Sequence, residues 1–205
     1  MEQFSFAFTV FFMLLGPLKI IPAFGGLMHG KDLRFKRDVA IRAALVASAL
    51  CAFVALAGGS LLGRYRISVD AVRLAGAIVL LVSALRSIFI RPDATGADAG
   101  TATPMQLAVS PVALPIIVPP AGIAVILLFM MFAPQYPGLG EAVAICVATI
   151  MVLDFLVMYF IDQVMKAPGL KIALAVIGSV LLFVQVCIAM EMVLTSLKHL
   201  GAINS

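Results

Sequence analysis

The chain has 205 residues, of which 63% are hydrophobic and only 12% charged, with a formal net charge of +4. A soluble domain carries about 25% charged residues, so this chain cannot cover a compact fold with polar surface. The composition excludes a soluble enzyme, a nucleic-acid module and a disordered tail, and it makes the lipid bilayer the first partner.

One span needs about 20 apolar residues, so six spans use about 120 and leave about 85 for loops and helix ends. The apolar stretches predict spans over about 4–28, 39–63, 68–90, 107–132, 141–161 and 170–197. The first is interrupted by Gly16-Pro17 and Pro22, the fourth by Pro111, Pro115, Pro119 and Pro120. The N-terminus, Met1-Glu2-Gln3-Phe4, lacks the positive leader of a signal peptide, so the first stretch is expected to stay as a span. In the second, Ala44, Ser48, Cys51, Ala55, Gly59 and Gly63 recur every three or four residues and predict a face that another helix approaches closely. A small, polar linker separates the third and fourth stretches and divides the chain into 1–92, 93–104 and 105–205.

Lys and Arg sit mainly between the apolar runs. Lys31, Arg34, Lys36, Arg37, Arg42, Arg91, Lys166 and Lys171 fall on one side, against Arg64, Arg66, Arg73 and Lys198 on the other. Cytoplasmic loops are the richer in basic residues. The expected topology is multi-pass in the inner (cytoplasmic) membrane, with both termini periplasmic or extracellular. Three spans per half place the second half upside down relative to the first. The fold class is therefore read as all-α, with six transmembrane helices in two inverted three-helix repeats, each opening on a proline-broken helix.

Proline has no amide hydrogen and clashes with the preceding turn. Backbone freed at membrane depth survives only where protein or a watery cavity covers it. Interrupted helices at matching positions of two halves point to a transport site. A half-helix N-terminus attracts a carboxylate and a C-terminus a cation, a combination that suits a zwitterion. The substrate-binding candidates are Gly16, Pro17, Lys19, Pro22, Pro111, Pro115, Pro119 and Gly122.

Ionisable groups inside spans are costly and point to function. Asp154 lies deep in the fifth stretch and Lys19 between the two prolines of the first. Both stand about 8 residues, or about 12 Å at helical rise, from the expected cytoplasmic ends, a match that allows a Lys19–Asp154 pair. Asp154, Lys19 and Glu191 are the ion-coupling candidates, Glu191 lying nearer the outer end of the sixth stretch. Cys51, Cys146 and Cys187 lie in apolar runs without metal-ligand spacing and read as packing residues. His29 and His199 end runs and form no metal cluster, so neither metal nor cofactor is expected.

At these residues the sequence resembles the MarC family, also known as UPF0056 or neutral amino acid transporter-like proteins. Gly16-Pro17-Leu18-Lys19-Ile20-Ile21-Pro22 resembles the family's first-span Asn-Pro-Leu-Gly-Asn-Ile-Pro. Ile67-Ser68-Val69-Asp70-Ala71-Val72-Arg73-Leu74-Ala75-Gly76-Ala77-Ile78 is similar to its Ile-Ser-x-x-Ala-Phe-Arg-Ile-Ala-Gly-Gly-Ile. Ala108-Val109-Ser110-Pro111-Val112-Ala113-Leu114-Pro115 resembles the fourth-span Pro-Leu-Ala-Ile-Pro element, and Ala189-Met190-Glu191-Met192-Val193-Leu194 the ending of the last span. Gly16 and Lys19 depart from the family's Asn and Gly, and Pro119-Pro120-Ala121-Gly122 from its Gly-Pro-Gly-Ala.

The resemblance implies a secondary transporter of a small polar or zwitterionic solute, a neutral amino acid first, and Asp154 deep in its span makes a proton the candidate coupling ion. An intramembrane enzyme is disfavoured because no span holds a nucleophile–base pair. The alternative is a non-transporting scaffold or accessory subunit. The sequence leaves the oligomeric state open.

Overall fold

The computed structural model describes residues 2–89, 103–166 and 169–202. Among them all regular structure is helical. The elements are α1 (Glu2–Leu15), α2 (Pro17–Leu27), α3 (Leu33–Arg64), α4 (Val69–Phe89), α5 (Pro104–Leu107), an irregularly wound segment (Ala108–Ile117), α6 (Pro120–Phe132), α7 (Leu139–Tyr159), α8 (Ile161–Val164) and α9 (Leu170–His199). These boundaries fall close to those expected from the apolar runs. Most of the linker, residues 93–102, lies outside the described residues, as does Arg91.

Local chemistry sets where helices start and stop. Pro17 and Pro120 open α2 and α6 at the first helical position, where no amide donor is missed. Gly138 (φ 83°) and Gly169 (φ 76°) precede α7 and α9 in the left-handed region, which glycine enters without a Cβ penalty.

Among the described residues four helical units are long and apolar enough to cross a membrane: Ala7–Leu27, Leu33–Ser60, Leu139–Tyr159 and Ile172–His199. The first is the most enclosed, with 56% of its apolar window buried against 33%, 33% and 18% in the others. It forms the centre of the bundle, and Phe11, Leu14, Leu15, Ile20 and Phe24 are fully buried along it. The outer helices turn large apolar side chains outward, among them Leu45, Phe53, Leu56, Ile145, Val152, Ile172 and Phe183. Apolar surface of this extent suits hydrocarbon rather than water. Two expected spans are not among the four. In α4, Asp70, Arg73 and Arg86 dilute the apolar run, and the fourth stretch is cut into Pro104–Leu114 and Pro120–Phe132.

The helices pair in a regular way. α4 packs along α9 and α3 along α7. α7 also packs on α1 and α2, while α3 packs on the irregular segment and α6.

The small-residue face of α3 turns toward α7 at Ala44, Ser48, Cys51 and Ala55, and needs correction at Gly59 and Gly63. The residues turned inward are Ala40, Ala43, Ala47, Cys51, Val54 and Gly58. Close approach occurs at Gly58, where a Cβ would stand 2.1 Å from Leu127 Cδ2, whereas Gly59 and Gly63 have nothing within 4 Å. Neighbouring helix positions differ by 100° in direction, so at this end of α3 the contact lies one residue to the side of the expected stripe.

Candidate functional site

The first break is a single residue wide. Gly16 is extended (φ −71°, ψ 167°) between α1 and α2. Its amide still donates to the Phe12 carbonyl at 2.9 Å, and a Cβ on Gly16 would stand 2.1 Å from that same oxygen. Only glycine fits without moving backbone. Pro17 behind it is buried, whereas Pro22, inside α2, is exposed.

The second break is distributed. Within Ala108–Ile117, Ser110 (φ −140°, ψ 121°) and Leu114 (φ −128°, ψ 120°) leave helical geometry. Each immediately precedes a proline, Pro111 and Pro115, and the proline ring drives the residue before it out of the α region. The Val118 amide reaches back to the Ala113 carbonyl at 3.1 Å. Pro119 is extended (φ −67°, ψ 157°), and its carbonyl accepts from Gly122 N at 2.9 Å and Ile123 N at 3.3 Å. The side chain of Pro115 lies outside the described residues.

The two breaks touch. A Cβ on Gly122 would stand 2.5 Å from Leu15 Cδ2, so the start of α6 rests on the end of α1, and α2 packs on the irregular segment. Gly16, Pro17, Pro119 and Gly122 are thereby gathered in one region.

The charged candidates do not pair with each other. Lys19 is half-buried and donates to Gln185 Oε1 at 3.2 Å. Gln185 Nε2 in turn donates to the Leu80 carbonyl at 3.1 Å. Asp154 is 1% exposed, and among the described residues neither carboxylate oxygen has a hydrogen-bond partner. The Lys19–Asp154 pair allowed by their matching depth is therefore not formed. Depth along a helix does not fix direction around it, and Asp154 shares its buried face with Cys146, Ile150, Met151 and Met158. It lies within electrostatic reach of Cys51 on α3. Glu191 is exposed and accepts from the Thr195 hydroxyl on the next turn, at 3.5 Å. Among the described residues no cluster could hold a metal ion.

Residues 1–200 match the family described as MarC family integral membrane protein. The chain belongs to the MarC family. Among curated relatives, the UPF0056 inner membrane protein YhgN of Escherichia coli K12 is 24% identical over 138 residues, covering 67% of this chain and 68% of YhgN. The UPF0056 membrane protein PH0760 of Pyrococcus horikoshii is 21% identical over 197 residues, covering 96% of this chain and 95% of PH0760. No solved structure matches. The chain is a multi-pass membrane protein.

The two ends of this MarC-family chain differ in a way the sequence reading missed. At the end that holds the α3–α4 turn, a cavity of about 490 Å³ opens among α1, α4, α6 and α9. Arg73, Phe132 and Tyr136 line it near the turns, and Leu80, Val10, Val125 and Ile188 line it further in. Leu80 stands seven residues beyond Arg73, about 10 Å along α4. Arg73 Nη1 bonds Asp70 Oδ1 at 3.2 Å and lies 3.3 Å from His199 Nδ1, and its guanidinium sits 5.2 Å from the Phe132 ring centroid.

At the opposite end side chains tie different helices together. Lys36 pairs with Asp162 at 2.6 Å. Arg37 stacks on Tyr159 at 4.5 Å, and Met165 lies against Gly25. Gln185 could have been singled out from sequence as a lone amide within Phe183-Val184-Gln185-Val186-Cys187, since buried amides in spans seek partners. Nothing in the sequence signals that its partner is 166 residues away.

Proposed function

We propose that this MarC-family protein is a secondary transporter that moves a small polar or zwitterionic solute, a neutral amino acid first, across the cytoplasmic membrane. The observation that carries the reading is the contact between the two helix breaks, Gly122 against Leu15. Broken helices that meet inside a bundle gather the irregular backbone that such transporters use for binding. The nearby cavity of about 490 Å³ falls within the roughly 300–1,000 Å³ of small-molecule sites.

In this reading six segments cross the bilayer. The first three (1–92) and last three (105–205) are inverted repeats joined by the cytoplasmic linker 93–104. The reciprocal packing supports it: α3 of the first half grips the second broken unit, and α7 of the second half grips the first. The Lys36–Asp162 end is cytoplasmic, following the basic-residue bias. The termini and the cavity mouth then face outward. Pro17, Pro111 and Pro119 shape the site, with Gly16 and Gly122 allowing close backbone approach.

Asp154 is the proton-coupling group. An ionised carboxylate buried without a partner is strongly disfavoured, and taking up a proton relieves that. A carboxyl whose surroundings change with access state couples proton movement to solute movement.

The experiment is uptake and counterflow in proteoliposomes with a panel of amino acids. Protein-dependent flux is expected, and its absence across the panel favours the scaffold alternative. Asp154→Asn keeps the shape and removes the titration. It should abolish proton-driven accumulation while exchange survives, and unchanged pH dependence would end the coupling role. Labelling of a single cysteine introduced at Gly138 by an impermeant reagent in intact spheroplasts checks the orientation.

A further inference from the structure

We infer that the cavity at the α3–α4 end binds a carboxylate joined to a bulky apolar group, with Arg73 holding the carboxylate at the mouth and the apolar walls further in holding the rest. The inference rests on the transport reading above and deepens it, because leucine carries such a group and alanine does not.

Both broken units build this cavity. Val10 comes from α1, and Val125, Leu128, Phe129 and Phe132 come from α6. Val125 stands one turn beyond Gly122, where the two breaks touch. Apolar walls with a few placed polar groups are the makeup of a small-molecule site. Among the described residues that line the cavity, Arg73 carries the only charge and Tyr136 the only hydroxyl.

The Arg73 side chain is 14% exposed. Its Nη1 donates to Asp70 Oδ1 at 3.2 Å and lies 3.3 Å from His199 Nδ1. The Phe132 ring, also in the cavity wall, lies 5.2 Å from the guanidinium. These contacts hold the group in place without using it up. A guanidinium has five donors on three nitrogens, and Asp70 and His199 engage Nη1 alone. Among the described residues Nε and Nη2 have no hydrogen-bond partner, and neither is sealed in the protein interior. A guanidinium meets a carboxylate through two parallel bonds. Asp70 does not depend on Arg73 alone, since His199 Nδ1 lies 3.2 Å from the same oxygen and donates to it when that nitrogen carries the proton.

From Arg73 the wall runs inward about 10 Å along α4 to Leu80. Val10, Val125 and Ile188 line the same inner part. Among the described residues no lining side chain there accepts a hydrogen bond, so the charged end of a ligand stays at the mouth. Each methylene buried in such walls strengthens binding about fourfold. Leucine has three more carbons than alanine and gains about fiftyfold on the same scale.

The test is calorimetry on the purified full-length protein in nanodiscs, with empty nanodiscs to subtract partitioning into lipid. The probes are L-leucine, L-alanine, isocaproate (leucine without its ammonium) and isoamylamine (leucine without its carboxylate). Leucine, isocaproate or both should bind, alanine should bind at least tenfold more weakly than leucine, and isoamylamine should not bind. Tighter leucine than isocaproate supports a zwitterion at the mouth, and the reverse order supports a simple monocarboxylate. Arg73→Gln should weaken carboxylate binding about ten- to hundredfold, the usual worth of hydrogen bonds to a charged group. Arg73→Lys keeps a cation beside Asp70 but loses the planar fork, so binding should fall several-fold in a protein that unfolds near the wild-type temperature.

Equal affinity for alanine and leucine, isoamylamine binding as tight as that of leucine, or a wild-type protein that binds none of the probes overturns the assignment. So does unchanged affinity in Arg73→Gln or, where that variant fails to fold, in Arg73→Lys. Leucine binding without flux in proteoliposomes ends the transport reading and leaves this site standing. Flux that is indifferent to Arg73→Gln ends this site and leaves transport standing.

Discussion

Between Leu15 and Pro17 the chain leaves helical geometry for one residue, whereas from Ser110 to Pro119 it leaves it repeatedly. The first break depends on the absence of a single Cβ, because Gly16 lies against the Phe12 backbone carbonyl. The second depends on four prolines, three of which follow a residue in extended geometry. Where the two meet, Gly122 faces the tip of the Leu15 side chain rather than backbone. A narrow break sealed against backbone has no slack, while a broad break resting on a rotatable side chain can adjust.

The sharpest way to break this comparison is Gly16→Ala. The added Cβ would stand 2.1 Å from the Phe12 oxygen, so α1 or α2 must move. Overpacking costs about 1–3 kcal/mol and occasionally more, and a backbone clash belongs at about 3 kcal/mol or above. Reversible unfolding in mixed micelles should show that loss. Lys19 lies three residues downstream, so solute flux should fall with stability. A Gly16→Ala protein with wild-type stability would mean that the break is wider than one residue.

Gly122→Ala comes next. Its Cβ would stand 2.5 Å from Leu15 Cδ2 but 3.4 Å from Leu15 Cγ. A rotamer change relieves most of the clash, so the expected loss is about 1–2 kcal/mol. Leu15→Ala in the same chain should recover part of the Gly122→Ala loss, measured as coupling in a double-mutant cycle. The same removal should do nothing for Gly16→Ala. Equal rescue of both would erase the distinction between the breaks.

The comparison also shows what a sequence reveals. Both breaks were legible, because glycine before proline and closely spaced prolines act on neighbouring backbone by local sterics alone. The helices were legible because a span must be long and apolar. Direction around a helix was not, since it depends on where neighbours settle. The stripe through Gly59 and Gly63 therefore missed the true contact at Gly58. Equal depth allows a Lys19–Asp154 pair, yet Lys19 turns to Gln185 on α9 while Asp154 faces inward with no hydrogen-bond partner among the described residues. The Lys36–Asp162 pair that ties α3 to α8 was equally hidden, as its members lie 126 residues apart.

The smallest expected effect tests whether the first broken unit is sensitive throughout or only at its break. Gly26 lies in the last turn of α2, is exposed and has nothing within 4 Å of a built Cβ. Its neighbour Gly25 lies 3.1 Å from the Met165 sulfur by the same measure, so the two adjacent glycines differ in surroundings. In a helix, alanine is favoured over glycine by about 1 kcal/mol in the interior, less near an end. Gly26→Ala should therefore leave stability unchanged or raise it by about 0.5 kcal/mol, with flux intact. Gly25→Ala should give a small loss that Met165→Ala relieves. If Gly26→Ala instead destabilises the protein as Gly16→Ala does, intolerance belongs to α2 as a whole, and the backbone contact at Gly16 is not its cause.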